Sequence, residues 1–327
     1  CNMSPREEQR NRRLYGTGGK LLAAVKRLMS NLSSLECLEL TDLMLDSCEA
    51  LYLLDQVCFD CCATLKQLIL INATKMQCQL LHVGVFVNLK VLEISPQNLG
   101  EDVVYLLSET RLRHLHIIQN RYTPLDVVAV NWRSWRDCAK INPLLAVHLR
   151  VESLRDRPVL WQDSAPVKSI LFASPQCKLQ REIITHAIDL YSSTLRIFGH
   201  LGLPKFYQPK SFKDRCDSFL FLLVKQCEHL HTLVIRERIS TATILLLVTA
   251  GSSLRFLYIR RNAVIQRADW SKNPDWSDEF YEWLKTTSQS FAKTEQEVSK
   301  ILGYPWHMLS DKEFKLLNYR KLMVDLD

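Results

Sequence analysis

An α/β fold of stacked strand-plus-helix units is what this sequence predicts, and three observations predict it. One short apolar phrase returns eight or nine times along the chain. Amphipathic helical stretches lie between its copies. After residue 261 the texture changes to tryptophan-rich helix. At 327 residues the chain is too long for one small core and fits an array or two domains. Apolar residues make up 47% and charged residues 24%, which excludes a wholly disordered chain.

The phrase is apolar-x-x-apolar-x-apolar, a short strand with alternate side chains turned inward. It reads Leu35, Leu38, Leu40, then Leu65, Leu68, Leu70, then Leu89, Leu92, Ile94. Leu112, Leu115, Ile117 follow, and less regularly Leu144, Val147, Leu149. Val167, Ile170, Phe172 come next, a degraded copy begins at Leu195, and Leu230, Leu233, Ile235 and Leu254, Leu257, Ile259 close the series. The shorter start-to-start spacings fall in the period of about 20–29 residues that marks leucine-rich repeats. The spacing lengthens to 35 between Leu195 and Leu230.

The intervening helices follow from periodicity. Leu21, Val25, Leu28, Met29 and Leu32 mark one face of a helix before the first strand. Leu51, Leu53, Leu54 and Val57, continued by Cys58, Cys61 and Cys62, mark another. Gly100-Glu-Asp starts a third with acids in its first turn, and Asp217 is placed to cap a fourth. Each unit then holds one strand and one helix, neither burying its apolar face alone. The expected architecture is a leucine-rich-repeat solenoid, a horseshoe, over 21–261. A basic flexible lead-in over 1–20 precedes it, and an α-helical, tryptophan-rich C-terminal cap over 262–327 follows.

In that cap, Ser277-Asp-Glu opens a helix, Thr294-Glu-Gln-Glu297 reads as a capping box, Gly303 and Pro305 stop a helix, and Ser310-Asp-Lys-Glu313 is a second capping box. The expected role is to cover the exposed end of the last repeat.

The positions between the leucines line the concave face. They include Glu39, Gln67, Glu93, His114, His116, His148, Arg150, Phe256, Tyr258 and Arg260, with Ser169, Leu171, Thr232 and Val234 among the rest. This run passes from acidic through histidine-rich to aromatic and basic, as a protein-binding surface does. Two stretches lengthen the repeat: 119–143, holding Trp132-Arg-Ser-Trp135, and 201–215. The second carries Lys205, Phe206, Tyr207, Lys210 and Phe212 and is the preferred partner-contacting loop, since insertions in repeat proteins form loops that meet ligands.

Chemistry at ligand or catalytic spacing is scarce. Tyr15–Leu21 lacks the first glycine and the Ser/Thr of a phosphate-binding loop. Cys58, Cys61, Cys62, Cys78 and His82 could be drawn into a zinc set, but the cysteines continue a helical apolar face. No HExxH, GxSxG or nucleophile–histidine arrangement is present. The reading is of a non-catalytic chain with no cofactor and no metal. No run of about 18–20 apolar residues spans a membrane. Eleven cysteines, an odd number set mostly in apolar patterns, point to cytosol or nucleus. The net charge is +7. Arg6, Arg10, Arg12 and Arg13 crowd the N-terminus with one aromatic, Tyr15, so it reads as a solvated lead-in rather than a nucleic-acid arm.

The repeats NLSSLECLEL, CCATLKQLIL, FVNLKVLEI and CEHLHTLVI resemble the substrate-recruiting half of F-box proteins. Trp132-Arg-Ser-Trp135-Arg-Asp-Cys-Ala and the tail NPDWSDEFYEWLK (273–285) are most similar to the F-box only protein 33 and 39 branch. The resemblance implies a substrate-recognition subunit of an SCF ubiquitin ligase, tied to Skp1 and a cullin-RING ligase through an F-box. No F-box falls within these residues. It is expected upstream of Cys1, with the client bound on the repeat surface. The alternative is a leucine-rich scaffold unconnected to ubiquitin.

Overall fold

The computed structural model describes residues 20–32, 34–153 and 158–323. The basic lead-in and the glycine-rich stretch before Lys20 lie outside the described residues. The chain packs as two compact units. One holds the described residues up to Ile118 with Tyr122–Ala146 and Leu160–Ala165; the other holds Gln119–Arg121, Val147–Val159 and Pro166 onward. Both are α/β, and among the described residues a nine-strand parallel sheet and a two-strand parallel pair are formed. The structural division falls among the repeats, and the C-terminal helices belong to the second unit.

The first unit runs α1 (Lys20–Met29), β1 (Cys37–Thr41), α2 (Ser47–Cys61), β2 (Gln67–Ile71), β3 (Val91–Ile94), α3 (Glu101–Ser108), β4 (His114–Gln119, its last residue in the other unit) and α4 (Trp132–Ile141). The phrase sets the register: Leu38, Leu68, Leu92 and Leu115 pair in one row, and Leu40, Leu70, Ile94 and Ile117 in the next. All eight are buried. Ala50, Leu53, Leu54, Val57 and Cys61 turn the inner face of α2 to this core. Trp135 of α4 is fully buried, and its indole N–H donates to Gln162 Oε1 at 3.1 Å. One expected helix is missing. Between β2 and β3 the described chain makes only a 3-10 turn at Leu81–Val85; Ala73, Met76 and Leu80 stand at helical spacing, yet Met76 is 61% exposed and no helix forms there. Its polar groups are held instead by Asn98, whose amide donates to Thr74 Oγ1 and to the Cys78 carbonyl.

The second unit continues with β5 (Ala146–Val151, whose first residue lies in the first unit), β6 (Val167–Phe172), α5 (Arg181–Tyr191), β7 (Ile197–His200), α6 (Asp217–Gln226), β8 (Thr232–Ile235), β9 (Ile239–Ser240), α7 (Thr241–Ala250) and β10 (Phe256–Ile259). The segment joining β5 to β6 likewise holds no helix among its described residues. The degraded copy at Leu195 is a true member: Phe198 pairs with Ile170 and Leu233, and His200 takes the place that Phe172 and Ile235 hold in their strands.

The fifth copy is corrected. Leu149, not Val147, pairs with Ile170, and Val151 pairs with Phe172, after a register irregularity at Val147/His148. Leu144 is therefore no core leucine and stands 62% exposed. The slip is two residues, so the inner and outer faces keep their parity.

Beyond β10 come β11 (Val264–Ile265, paired with β9), α8 (Asp278–Ser288), α9 (Phe291–Leu302), α10 (Asp311–Lys315) and α11 (Tyr319–Met323). Helix α7 is buried on all sides from Thr241 to Val248 because α6 packs on one flank and α8 and α9 on others. Ser277 caps α8, Gly303 ends α9 in the left-handed region at φ 81°, and Ser310 with Glu313 forms the expected capping box of α10. Two expectations fail. Helix α9 starts four residues earlier, capped by Ser290, and Thr294 lies inside it, fully buried, donating to the Ser290 and Thr287 carbonyls. Asp217 does not cap α6, because its carboxylate is engaged from the side by Arg215, Ser240 and Thr243.

Candidate functional site

Parallel register lays the intervening positions in rows. In the first unit one row is Cys37, Gln67, Val91, His114 and the next is Glu39, Ile69, Glu93, His116. Cys37 and Glu39 are exposed, Gln67, Glu93 and His114 are half-buried, and His116 is buried, its ring stacked on His114 at 6.3 Å. The open part of this surface is thus its acidic end. His116, expected to face a partner, lies beneath the surface.

In the second unit the rows are His148, Ser169, Ile197, Thr232, Phe256 and Arg150, Leu171, Gly199, Val234, Tyr258. His148 is corrected from a contact residue to a core residue: it is fully buried and shares a 2.9 Å hydrogen bond with Ser169 Oγ. Leu171, Ile197 and Val234 are buried too. The cover is the chain's own C-terminal segment. Phe314, Tyr319 and Leu322 of α10 and α11 form one apolar cluster with Leu171, Ile197 and Val234, against which Tyr258 also packs. Arg260 donates through Nε and Nη2 to the two carboxylate oxygens of Asp311 at 2.7 and 3.1 Å, which holds the Asp311 carboxyl below its usual range. The Arg150 guanidinium lies over the Tyr319 ring at 5.3 Å. Tyr258 and Arg260, expected to meet a partner, meet this strap, and Phe256 is half-buried beside His231.

A glycine marks the middle of the covered row. A Cβ at Gly199 would stand 2.5 Å from Val234 Cβ and 2.7 Å from its carbonyl oxygen. Only glycine lets the β7 backbone lie this close to β8.

The loop over 201–215 is anchored at both ends. Arg236, fully buried, donates to the carbonyls of Leu201, Gly202, Ser174 and Cys177, and pairs with Glu237. Gln208 donates to the Arg236 carbonyl, and its own backbone carbonyl accepts from Arg238 at 2.8 Å. At the far end Arg215 donates to Lys210 O and lies in a buried ion network with Asp217 and Asp269. Lys205, Tyr207 and Lys210 project outward, Tyr207 being 78% exposed. Phe206 and Phe212 are half-buried. Phe206 has Lys178 over its ring, and Phe212 meets Trp270 edge-on at 5.3 Å. A cavity of about 250 Å³ opens beside the loop, lined by Phe206, Tyr207, Pro209, Cys216 and Arg238 among others.

The cysteines weighed as ligands are otherwise engaged. Cys58 donates to the His82 carbonyl at 3.7 Å and Cys61 to the Leu32 carbonyl. Burial, aided by Asp55, pushes the Cys58 thiol up to about 12. Among the described residues no group of three His, Cys, Asp or Glu side chains is gathered to hold a metal ion. No helix of the described residues is long and apolar enough to cross a membrane.

Two features escaped sequence reasoning. The strap was read only as an end cap, although Ile197, Leu171 and Val234, apolar at intervening positions, signal strands buried on both faces. The anchoring of the loop by Arg236 had no local signal, since its partners lie 34 to 62 residues away. Neither a protein-family model nor a curated protein matches the chain.

Proposed function

We propose that this chain is the client-binding part of an F-box type substrate receptor, a non-catalytic leucine-rich-repeat solenoid that presents proteins to a cullin-RING ubiquitin ligase. The observation that carries the binding role is the pinned loop over 201–215. A loop fixed at both ends by buried arginines holds Lys205, Tyr207 and Lys210 outward at little ordering cost on binding. The exposed Glu39 on β1 supplies a second contact point. The ligase connection rests on the resemblance of the repeats, the Trp132 segment and the 273–285 tail. In this reading Skp1 binds an F-box outside these residues, and the compartment is cytosol or nucleus. The register-matched phrase equally supports a scaffold with no ubiquitin partner, because the stacking of strands needs none.

One experiment separates the two. The natural polypeptide carrying this chain is purified from proteasome-inhibited cells together with its associated proteins. Skp1 and a cullin co-purify, while residues 1–327 alone capture neither, and Tyr207→Ala with Lys210→Glu depletes the ubiquitinated clients without removing Skp1. Complexes that hold clients but neither Skp1 nor a cullin refute the ligase reading and leave the scaffold.

A further inference from the structure

The strap over the second unit's inner strands has the form of a bound ligand. Leu309 is its root: its amide donates to the Ile259 carbonyl and its carbonyl accepts from Arg261, so the chain is tied to the edge of β10 there. Beyond it, α10 and α11 are five residues each. Helices that short do not persist in water by themselves, so their order comes from docking. The docked elements are few and regularly placed. Asp311 meets Arg260, Phe314 enters the cluster three residues later, and Tyr319 and Leu322 follow it, Tyr319 beneath the Arg150 guanidinium. Between the anchors Leu316 stands 66% exposed.

The floor is independent of the strap. Leu171, Val234 and Tyr258 are set by strand register, and Gly199 between them leaves the row without a side chain. Arg150 and Arg260 stand at the two ends of that row or just beyond it, giving an apolar strip flanked by cations.

From this we propose that the segment 310–323 is a displaceable occupant, and that the strip it covers is a docking surface for a partner's short amphipathic helical segment. The partner carries an acidic residue for Arg260, an aromatic residue three positions on, and an aromatic ring for Arg150. This rests on the reading of the chain as a partner-binding protein. It names the surface that opens and the chemistry that fills it. A partner with the better set of anchors takes the strip, and the strap leaves by turning at Ser310.

The test uses the full chain and a synthetic peptide of residues 309–323. Native-state hydrogen exchange reads the strap first: the amides of Phe314, Leu317 and Leu322 exchange at least a hundredfold faster than those of β6 to β8. Exchange of the strap only together with those strands overturns the proposal. The labelled peptide is then titrated into the intact protein and two variants. Asp311→Ala loosens the resident strap while the peptide keeps its own aspartate, and binding strengthens about tenfold. Arg260→Ala loosens the strap equally but removes the peptide's partner, so binding stays near the unaltered level. Equal binding to both variants, equal binding of a scrambled peptide, or tail exchange between two copies in place of peptide uptake each overturns it. No arm involves Skp1 or ubiquitin, so failure here is distinct from failure of the ligase reading.

Discussion

Breaking the buried network at the end of the 201–215 loop should cost as much as a large apolar truncation in the core. Arg215 and Asp217 are both fully buried side chains, joined through Nε at 2.8 Å and Nη2 at 3.0 Å. Asp217 also accepts from the Ser240 amide and hydroxyl and from the Thr243 hydroxyl, and Arg215 reaches Asp269. Asp217→Ala strands a buried guanidinium, which costs about 3–5 kcal/mol when no partner remains. Asp269 keeps Arg215 partly paired, which places that contribution near the lower end. The Ser240 amide loses its acceptor and adds about 1 kcal/mol, while the Ser240 and Thr243 hydroxyls keep each other at 2.9 Å. The expected loss is about 4–5 kcal/mol. Urea unfolding followed by the fluorescence of Trp270, Trp276, Trp283 and Trp306, all in the second unit, reads it as a lowered midpoint at unchanged slope. Replacing both partners, Arg215→Met with Asp217→Leu, removes the stranded charge, and the double variant should be more stable than Asp217→Ala alone. A single-variant loss under about 1 kcal/mol, or strictly additive losses, refutes the reasoning.

Four further outcomes follow from the same geometry. His200 is wholly buried against Phe172, and burial together with the Arg236 charge lowers its pKa well below 6.5. The folded state therefore binds fewer protons than the unfolded chain below pH 6.5, and this residue makes stability fall by up to about 1.4 kcal/mol per pH unit as the pH drops. His200→Leu should remove that slope between pH 6.5 and 5; parallel pH profiles of the two proteins contradict this. Gly199→Ala forces a Cβ against Val234 and should cost about 1–3 kcal/mol in thermal or urea unfolding, as overpacking does. Gly202→Ala meets no neighbour and should lose only the roughly 1–2 kcal/mol of a left-handed residue at φ 71°. Burial holds the Cys177 and Cys227 thiols up at about 12, whereas Cys37 and Cys48 are exposed. A thiol reagent followed by mass spectrometry should mark Cys37 and Cys48 in the native protein and reach Cys177 and Cys227 only on unfolding.

The amino-acid sequence by itself determined the strands, their spacing and most of their register. A phrase with three inward apolar positions pairs with its neighbour in one way when the core is to be dry, and Leu38, Leu68, Leu92 and Leu115 duly align. Local caps were legible for the same reason: Ser277, Gly303 and Ser310 act on atoms within four residues of themselves. Tertiary structure decided the rest. Thr294 has the letters of a cap, yet Ser290 caps first and burial takes Thr294 inside. Leu144 has the letter of a core leucine, yet the paired strand slides by two. The intervening positions were correctly placed on one face, but which of them meet solvent was not written in that alternation. It depends on where residues about 50 to 170 positions further along come to rest. The Arg150–Tyr319 and Arg260–Asp311 contacts bridge such separations, and no local period encodes them. Long-range packing decided that in the second unit the apolar row carries a cover of its own chain, and in the first unit that Cys37 and Glu39 stay open.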